Sequence, residues 1–240
     1  MRASVLVLTG AGISADSGLA TFRGAGGLWE GQPVEEIATP GAWALDPARV
    51  WRFYQERRAG LSSVQPNAAH HALAAFQARL EEHAIPFRLV TQNVDDLHDR
   101  ASSRPLHMHG ELAQLRCEAC GAGLRDLDRT DPATFVPCPR CEHPRLRPDV
   151  VWFGEVPYHL PEIEAALREC THFLAIGTSG AVYPAAGFLA AARAGGAKTW
   201  VNCLEVPQNA ADADRLHLGP AVEVVPSLLD ELLEGLSGRR

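Results

Sequence analysis

Lysine is almost missing from this chain: Lys198 is the only one, and arginine makes up the rest of the 22 basic residues. We attribute that imbalance to genomic codon bias. Against those cations stand 29 acidic residues, leaving a net charge of -7. A protein that grips nucleic acid by neutralising phosphates needs a basic stripe, and the sequence has none, so nucleic acid is excluded as a partner. No apolar run approaches the roughly 20 residues that cross a bilayer, which excludes a helical membrane span. Only Met1-Arg2-Ala3-Ser4 precedes the first apolar run, too little for a signal or transit peptide. The expectation is a soluble, cytoplasmic, monomeric protein. Repeats and low-complexity linkers are absent too.

What remains is 240 residues, 46% of them hydrophobic, enough for one large domain or one domain with a small insert. Short apolar runs at 4–9, 87–91, 172–176, 199–202 and 222–225 have the length of buried strands. Helical stretches lie between them at 68–82, 161–169 and 185–193. Strands alternating with helices predict an α/β fold: a Rossmann-like parallel sheet with helices on both faces. Two regions break the alternation. Residues 24–60 begin glycine-rich and then turn helical, with Asp46 as N-cap, Pro47 at the first helical position and Gly60 closing the far end. Residues 115–148 are rich in Cys, Pro and Arg. Together these predict a small zinc-binding domain beside a large domain of 1–23, 61–114 and 149–240.

Gly10-Ala11-Gly12-Ile13-Ser14-Ala15 follows the first strand and fits GxGxxA, a dinucleotide-binding pattern. Gly10 makes the tight turn, Gly12 lets backbone approach a pyrophosphate, and Ala15 keeps the third position small. A helix starting there would add its dipole. An NAD dehydrogenase also needs an acidic residue roughly 20 positions on, at a strand end. Here that stretch is a glycine-rich loop, which weakens the hydride-transfer reading.

Cys117-x-x-Cys120 and Cys138-x-x-Cys141 supply four thiolates at zinc-knuckle spacing. Four protein ligands leave no open position for water, so one Zn2+ per chain would be structural. Cys170 and Cys203 lie in apolar surroundings and read as core.

Gln92-Asn93-Val94-Asp95 stands just past a strand end, where ligands collect in such sheets. The residues alone leave two roles open for Asn93 and Asp95, ligand groups or helix caps. His109 before Gly110 is likewise open between structure and catalysis. Gly177-Thr178-Ser179 follows another strand and offers small groups near phosphates.

In this order, GAGISADSGLATFRG at 10–24, TQNVDDLH at 91–98, HG at 109–110, the two CxxC pairs, LRPDVVWFGE at 146–155, GTS at 177–179 and VN at 201–202 resemble the sirtuins, the NAD-dependent protein deacylases. The resemblance implies a cleft between the two lobes for NAD, which is consumed, and for an acylated-lysine protein or peptide. It implies that Gly10, Ala11, Gly12, Ala15, Gly177, Thr178 and Ser179 line the phosphates. Thr21, Phe22, Arg23 and Gln92 would border the nicotinamide ribose, and Asn93 and Asp95 would hold nicotinamide. Asn202 would meet the adenosine and Ala221 would also touch the cofactor, while Val151, Trp152, Phe153 and Gly154 would pair with the peptide as an added strand. His109 would act as general base on the ribose hydroxyls after the acyl oxygen has displaced nicotinamide. Water then releases lysine and an acyl-ADP-ribose. Ala20, Gly180 and the 98–103 segment depart from the family pattern without removing a group the mechanism needs.

Tyr54 and Arg57 fall three apart on one helix face. With Ala38 at a position kept small, they resemble the signature of the sirtuin class that prefers acidic acyl chains. A guanidinium offers a terminal carboxylate a bidentate, charge-assisted contact that an acetyl group cannot use. The expectation is removal of succinyl and malonyl groups, with some deacetylation. The alternatives are a plain deacetylase, a mono-ADP-ribosyltransferase on the same site, or a non-catalytic NAD-sensing zinc module.

Overall fold

The structure, a computed structural model, describes residues 2–20, 28–29 and 31–237. It opens with strand β1 (Val5–Thr9), the hairpin strands β2 (Leu28–Trp29) and β3 (Gln32–Pro33), and helices α1 (Val34–Ile37), α2 (Pro40–Leu45), α3 (Pro47–Gly60) and α4 (Ala68–Glu82). Next come β4 (Phe87–Thr91), α5 (Leu97–Arg100), β5 (Pro105–His107), β6 (Gly110–Arg116), β7 (Gly123–Arg125) and β8 (Arg147–Val150). The remaining elements are α6 (Leu160–Glu169), β9 (His172–Ile176), α7 (Phe188–Ala194), β10 (Lys198–Cys203), β11 (Arg215–Leu218) and α8 (Ala221–Ser237).

Six strands form one sheet in the order β11-β10-β9-β1-β4-β5, and every pairing is parallel. The chain winds from β1 outward through β4 and β5, then returns to β9 on the other side. That reversal puts a crevice between the carboxyl ends of β1 and β9, the place where such sheets take ligands. All of β1 is buried because both faces are covered. Val5 and Val7 pack with Leu73 of α4 and Val225 and Leu229 of α8, whereas Leu6 and Leu8 pack with Ile163 of α6 and Leu189 of α7. Each such side chain, once buried, contributes about 1.5–3 kcal/mol.

A third apolar cluster belongs to the smaller lobe. Trp43, Trp51, Phe53 and Tyr54 from α2 and α3 pack there with Leu115, Val136, Leu146 and Trp152 around the antiparallel sheet β7-β6-β8. Fully buried Arg58 ties α3 to this sheet, donating to the carbonyls of Leu112 (2.8 Å) and Asp126. Asp46 caps α3 through Oδ1, which accepts from Arg49 N at 3.0 Å, and Pro47 fills the first helical position. Among the described residues no helix is long and apolar enough to cross a membrane.

Three local expectations are corrected. Residues 222–225 are helical, not a strand: Glu223 and Val224 donate backbone N–H to Pro220 O. Val225, Leu228, Leu229 and Leu232 continue the buried stripe with helical spacing. The sixth strand is β11 instead, largely exposed at the sheet edge, which a search for buried apolar runs passes over. Gly60 does not cap α3 in a left-handed conformation; its φ is -65° and the chain continues into a 3-10 turn at Leu61–Ser63. Finally, no α-helix starts at Gly12. Two 3-10 turns, Ala11–Ile13 and Ala15–Ser17, follow β1, so no α-helix dipole points at the glycine turn there.

Candidate active site

The two turns at the crevice are built against each other. Gly10 N donates to Ile176 O (3.0 Å) and Gly12 N to Gly177 O (2.8 Å). A Cβ on Gly12 would stand 2.8 Å from Gly177 Cα, and one on Gly177, whose φ is +63°, would stand 2.4 Å from Ile13 N. Gly12 is thus required by this backbone-on-backbone packing. Ala11 and Ala15 are half-buried beside it, and Ser179 is exposed on the second turn. Thr21, Phe22 and Arg23 lie outside the described residues. Gly180, where the family often has leucine, gives its side-chain space to Asn209, whose Oδ1 would stand 2.2 Å from an added Cβ.

At the end of β4, Asn93 and Asp95 converge on Ser14, a residue of the glycine motif given no role from sequence. Ser14 Oγ donates to Asp95 Oδ2 (3.0 Å) and accepts from Asn93 Nδ2 (3.1 Å). His70, from the first turn of α4, completes the group with Nε2 at 3.4 Å from Ser14 Oγ. Its Nδ1 accepts Asn67 N–H (3.3 Å) inside the capping box of α4. Burial pushes the His70 pKa down to about 4, with His71 adding to the shift. The ring is therefore neutral with its proton on Nε2, donating to Ser14. Beside it, His98 meets His70 edge-on at 4.9 Å and bonds Thr9 Oγ1 at 3.0 Å. Sequence reasoning missed Ser14, His70, His98 and Thr9. The available signal was Asn67-x-x-His70, a capping-box spacing with a base where Glu or Gln is usual.

Asp95 Oδ1 also accepts Leu97 N–H (3.1 Å), so one oxygen supports the start of α5 while the other joins the Ser14 group. Burial raises its pKa, against the pull of the Leu97 N–H and the Ser14 hydroxyl. A buried carboxylate oxygen can accept a further donor, and a carboxamide N–H2 is a donor of the right kind.

His109 follows β5, and its Nδ1 donates to Gln92 O at 2.9 Å. A carbonyl only accepts, so the proton is on Nδ1 and Nε2 is the free base. Burial lowers its pKa from the ordinary 6.5, outweighing the Gln92 carbonyl. His107 points elsewhere, to Asp99 (2.9 Å) and Glu111 (3.3 Å). Gln92 reaches across the crevice, Nε2 donating to Thr178 Oγ1 at 3.1 Å. At the far end Asn202 is buried, donating to His217 O (3.0 Å) and Gly219 O (3.1 Å), while its Oδ1 has no partner among the described residues. An orphaned buried acceptor suits a ribose hydroxyl. Ala221 is buried at the start of α8.

On the other side of His109, its carbonyl accepts Val151 N–H at 2.8 Å, and Ala38 O accepts Phe153 N–H at 2.9 Å. Three backbone donors of the 151–154 segment, those of Val151, Trp152 and Phe153, are therefore already used. Trp152 is buried, its ring N–H donating to Tyr54 Oη at 2.9 Å, and its backbone N–H to Glu155. Phe153 and Gly154 are exposed at a turn. Tyr54 is fully buried, and that burial raises its pKa well above 10. Arg57, half-buried, lies with its guanidinium carbon 3.2 Å from the Phe53 ring centroid. Ala38 and Tyr54 are thus tied to the segment that starts at Val151, and Arg57 lies one ring away from Tyr54, on Phe53.

The four CxxC thiols gather in the small lobe, all within 4.8 Å of one another. Cys117 and Cys141 Sγ are 3.6 Å apart, and Cys120 and Cys138 Sγ 3.7 Å. Disulfides need about 2.05 Å. Four thiolates at about 2.3 Å from a tetrahedral Zn2+ stand about 3.8 Å apart, so the set fits zinc. The two knuckles repeat one fold: Gly121 N donates to Cys117 O and Glu142 N to Cys138 O. Gly121 and Glu142 both take positive φ, 69° and 59°.

The Sir2 family pattern matches residues 10–184. The chain belongs to the Sir2 family. It is 49% identical over 234 residues to an NAD-dependent protein deacylase of Caulobacter vibrioides, spanning 97% of this chain and 98% of that protein. It is 49% identical over 236 residues to one of Escherichia coli K12, spanning 97% and 83%. A solved Sir2 homolog–NAD complex superposes with a TM-score of 0.85 at 36% identity, covering 97% of this chain and 90% of the other. Sir2Af2 bound to a myristoylated histone peptide gives 0.74 at 29%, covering 99% and 93%. In this Sir2 family member the crevice group, the histidine and the four thiols all come from elements of the matched span or its immediate neighbours.

Proposed function

We propose that the chain is an NAD-dependent protein-lysine deacylase preferring succinyl and malonyl groups over acetyl. The observation that carries the reading is the place of His109. Its proton is fixed on Nδ1, its neighbour Gln92 leads to the buried Asn93/Asp95/Ser14 group, and its own carbonyl holds Val151, next in sequence to Trp152, which bonds Tyr54. Asn93 and Asp95 hold the nicotinamide carboxamide, and Gln92 borders the ribose with Thr21, Phe22 and Arg23. Gly10, Ala11, Gly12, Ala15, Gly177, Thr178 and Ser179 line the phosphates; Asn202 and Ala221 take the adenosine. The peptide runs along Val151–Gly154 into the cleft between large and small domains.

Bound there, the dinucleotide supplies a ribose carbon with a good leaving group. His109 Nε2 takes the proton from a ribose hydroxyl, and its lowered pKa keeps it unprotonated at neutral pH. Tyr54 and Arg57 meet the terminal carboxylate of the acyl chain, with small Ala38 leaving room. Zinc held by Cys117, Cys120, Cys138 and Cys141 braces the small lobe and takes no part in the chemistry. Reduced thiols suited to zinc accord with a cytoplasmic setting.

The test is mass spectrometry of succinyl-, malonyl- and acetyl-lysine peptides incubated with NAD. The acidic peptides should react with the higher kcat/KM. Arg57→Met should lower that value at least about tenfold on acidic peptides, with a much smaller loss on acetyl peptide. Equal losses would remove the carboxylate from the pocket.

A further inference from the structure

Glu155 lies just beyond the Val151–Gly154 segment, and four N–H groups converge on its carboxylate. Oε1 accepts from Arg147 Nη1 (2.7 Å) and Arg116 Nη2 (3.0 Å). Oε2 accepts from Arg147 Nη2 (3.0 Å) and from the backbone N–H of Trp152 (2.8 Å). A carboxylate offers about four acceptor sites, so this one is full. Burial alone would raise its pKa, but the bonds from Arg147 and Trp152 and the charges of both arginines lower it, and it stays ionised. Arg147 is itself buried, with its guanidinium carbon 3.4 Å from the Trp152 ring centroid.

These bonds fix two consecutive peptide units. Arg147 Nη2 also donates to Val150 O (2.8 Å), and the N–H of that same unit, belonging to Val151, donates to His109 O (2.8 Å). The next unit is held at its N–H end, by Glu155. It is trans, and in a trans peptide the C=O points opposite to the N–H, so the bond to Glu155 turns Val151 O away from the carboxylate. Among the described residues nothing donates to Val151 O. An open carbonyl there, on the residue that bonds the His109 backbone, suits an amide N–H of the substrate. We propose that Glu155, with Arg147 behind it, is a positioning residue for the peptide substrate, setting the 151–152 peptide unit so that Val151 O meets a substrate N–H. The inference rests on the reading of Val151–Gly154 as the peptide-binding segment.

The experiment titrates the zinc-loaded enzyme by calorimetry with a succinyl-lysine peptide and, separately, with NAD. It compares the wild type with Glu155→Ala, Glu155→Gln, Arg147→Met/Glu155→Ala and Phe153→Asp. Glu155→Ala should weaken peptide binding about fivefold or more and leave the NAD Kd within about twofold. Glu155→Gln keeps an oxygen for the Trp152 N–H and should recover part of the loss. Should the stranded Arg147 cation unfold Glu155→Ala, the double variant takes its place with the same expectation, because it removes the buried charge together with its partner. Equal weakening of peptide and NAD, or peptide binding as tight as wild type in a folded alanine variant, overturns the role of Glu155. Phe153→Asp puts a charge on the segment itself. If it too leaves the peptide Kd intact, the peptide-segment reading fails; if only the Glu155 variants do, this inference fails alone.

Discussion

His109 illustrates how a single acceptor can decide a residue's chemistry. Because the carbonyl of Gln92 can only accept, the imidazole proton sits on Nδ1 and the lone pair on Nε2. Burial then lowers the pKa, since the charged form is the one that loses hydration. A base works while unprotonated, so activity should fall as pH drops through that lowered value. The acid limb of kcat/KM should therefore lie below pH 6.5, read from a pH series on the free enzyme. A limb at or above 6.5 would contradict a buried, neutral His109. At this scale the sequence offered residue types but not partners. Asn93, Asp95 and His109 were legible because they flank strand ends in a recognisable order. Ser14 was quoted with its motif, but its partner His70 lies 56 residues away, a contact no spacing rule brings together.

Among elements, the pair of turns after β1 and β9 shows which glycines are constrained by space and which by backbone angle alone. Gly177 and Gly31 both hold positive φ, +63° and +77°. Among the described residues an alanine at Gly31 meets nothing within 4 Å, whereas at Gly177 it would overlap backbone at 2.4 Å. Gly31→Ala should cost only the left-handed penalty, about 1–2 kcal/mol. Gly177→Ala should add an overpacking cost of about 1–3 kcal/mol and separate the two turns. Denaturant midpoints at unchanged slope measure the difference. Equal costs would mean that the turns are not packed as described. The strand expected at 222–225 failed for an instructive reason. A four-residue apolar run has no period of its own, and the stripe that makes it helical appears only with Leu228, Leu229 and Leu232. The edge strand β11 carries Arg215 and exposed leucines, so burial gives no sign of it.

For the whole molecule, the alternation of strands and helices was enough to read a parallel sheet with covered faces, and the two CxxC pairs were enough to read a zinc lobe. Strand order was not legible. The reversal between β1 and β9 comes from residues more than 160 apart, and it is that reversal which makes the crevice. The central claim concerns what happens in it: a dinucleotide is cleaved and used up while an acyl group leaves lysine. The most direct test follows nicotinamide, unmasked lysine and NADH together while the enzyme turns over a succinyl-lysine peptide with NAD. The account predicts nicotinamide and free lysine rising mole for mole, no NADH, and loss of both products in His109→Ala. Accumulating NADH, or lysine freed without nicotinamide, would contradict it.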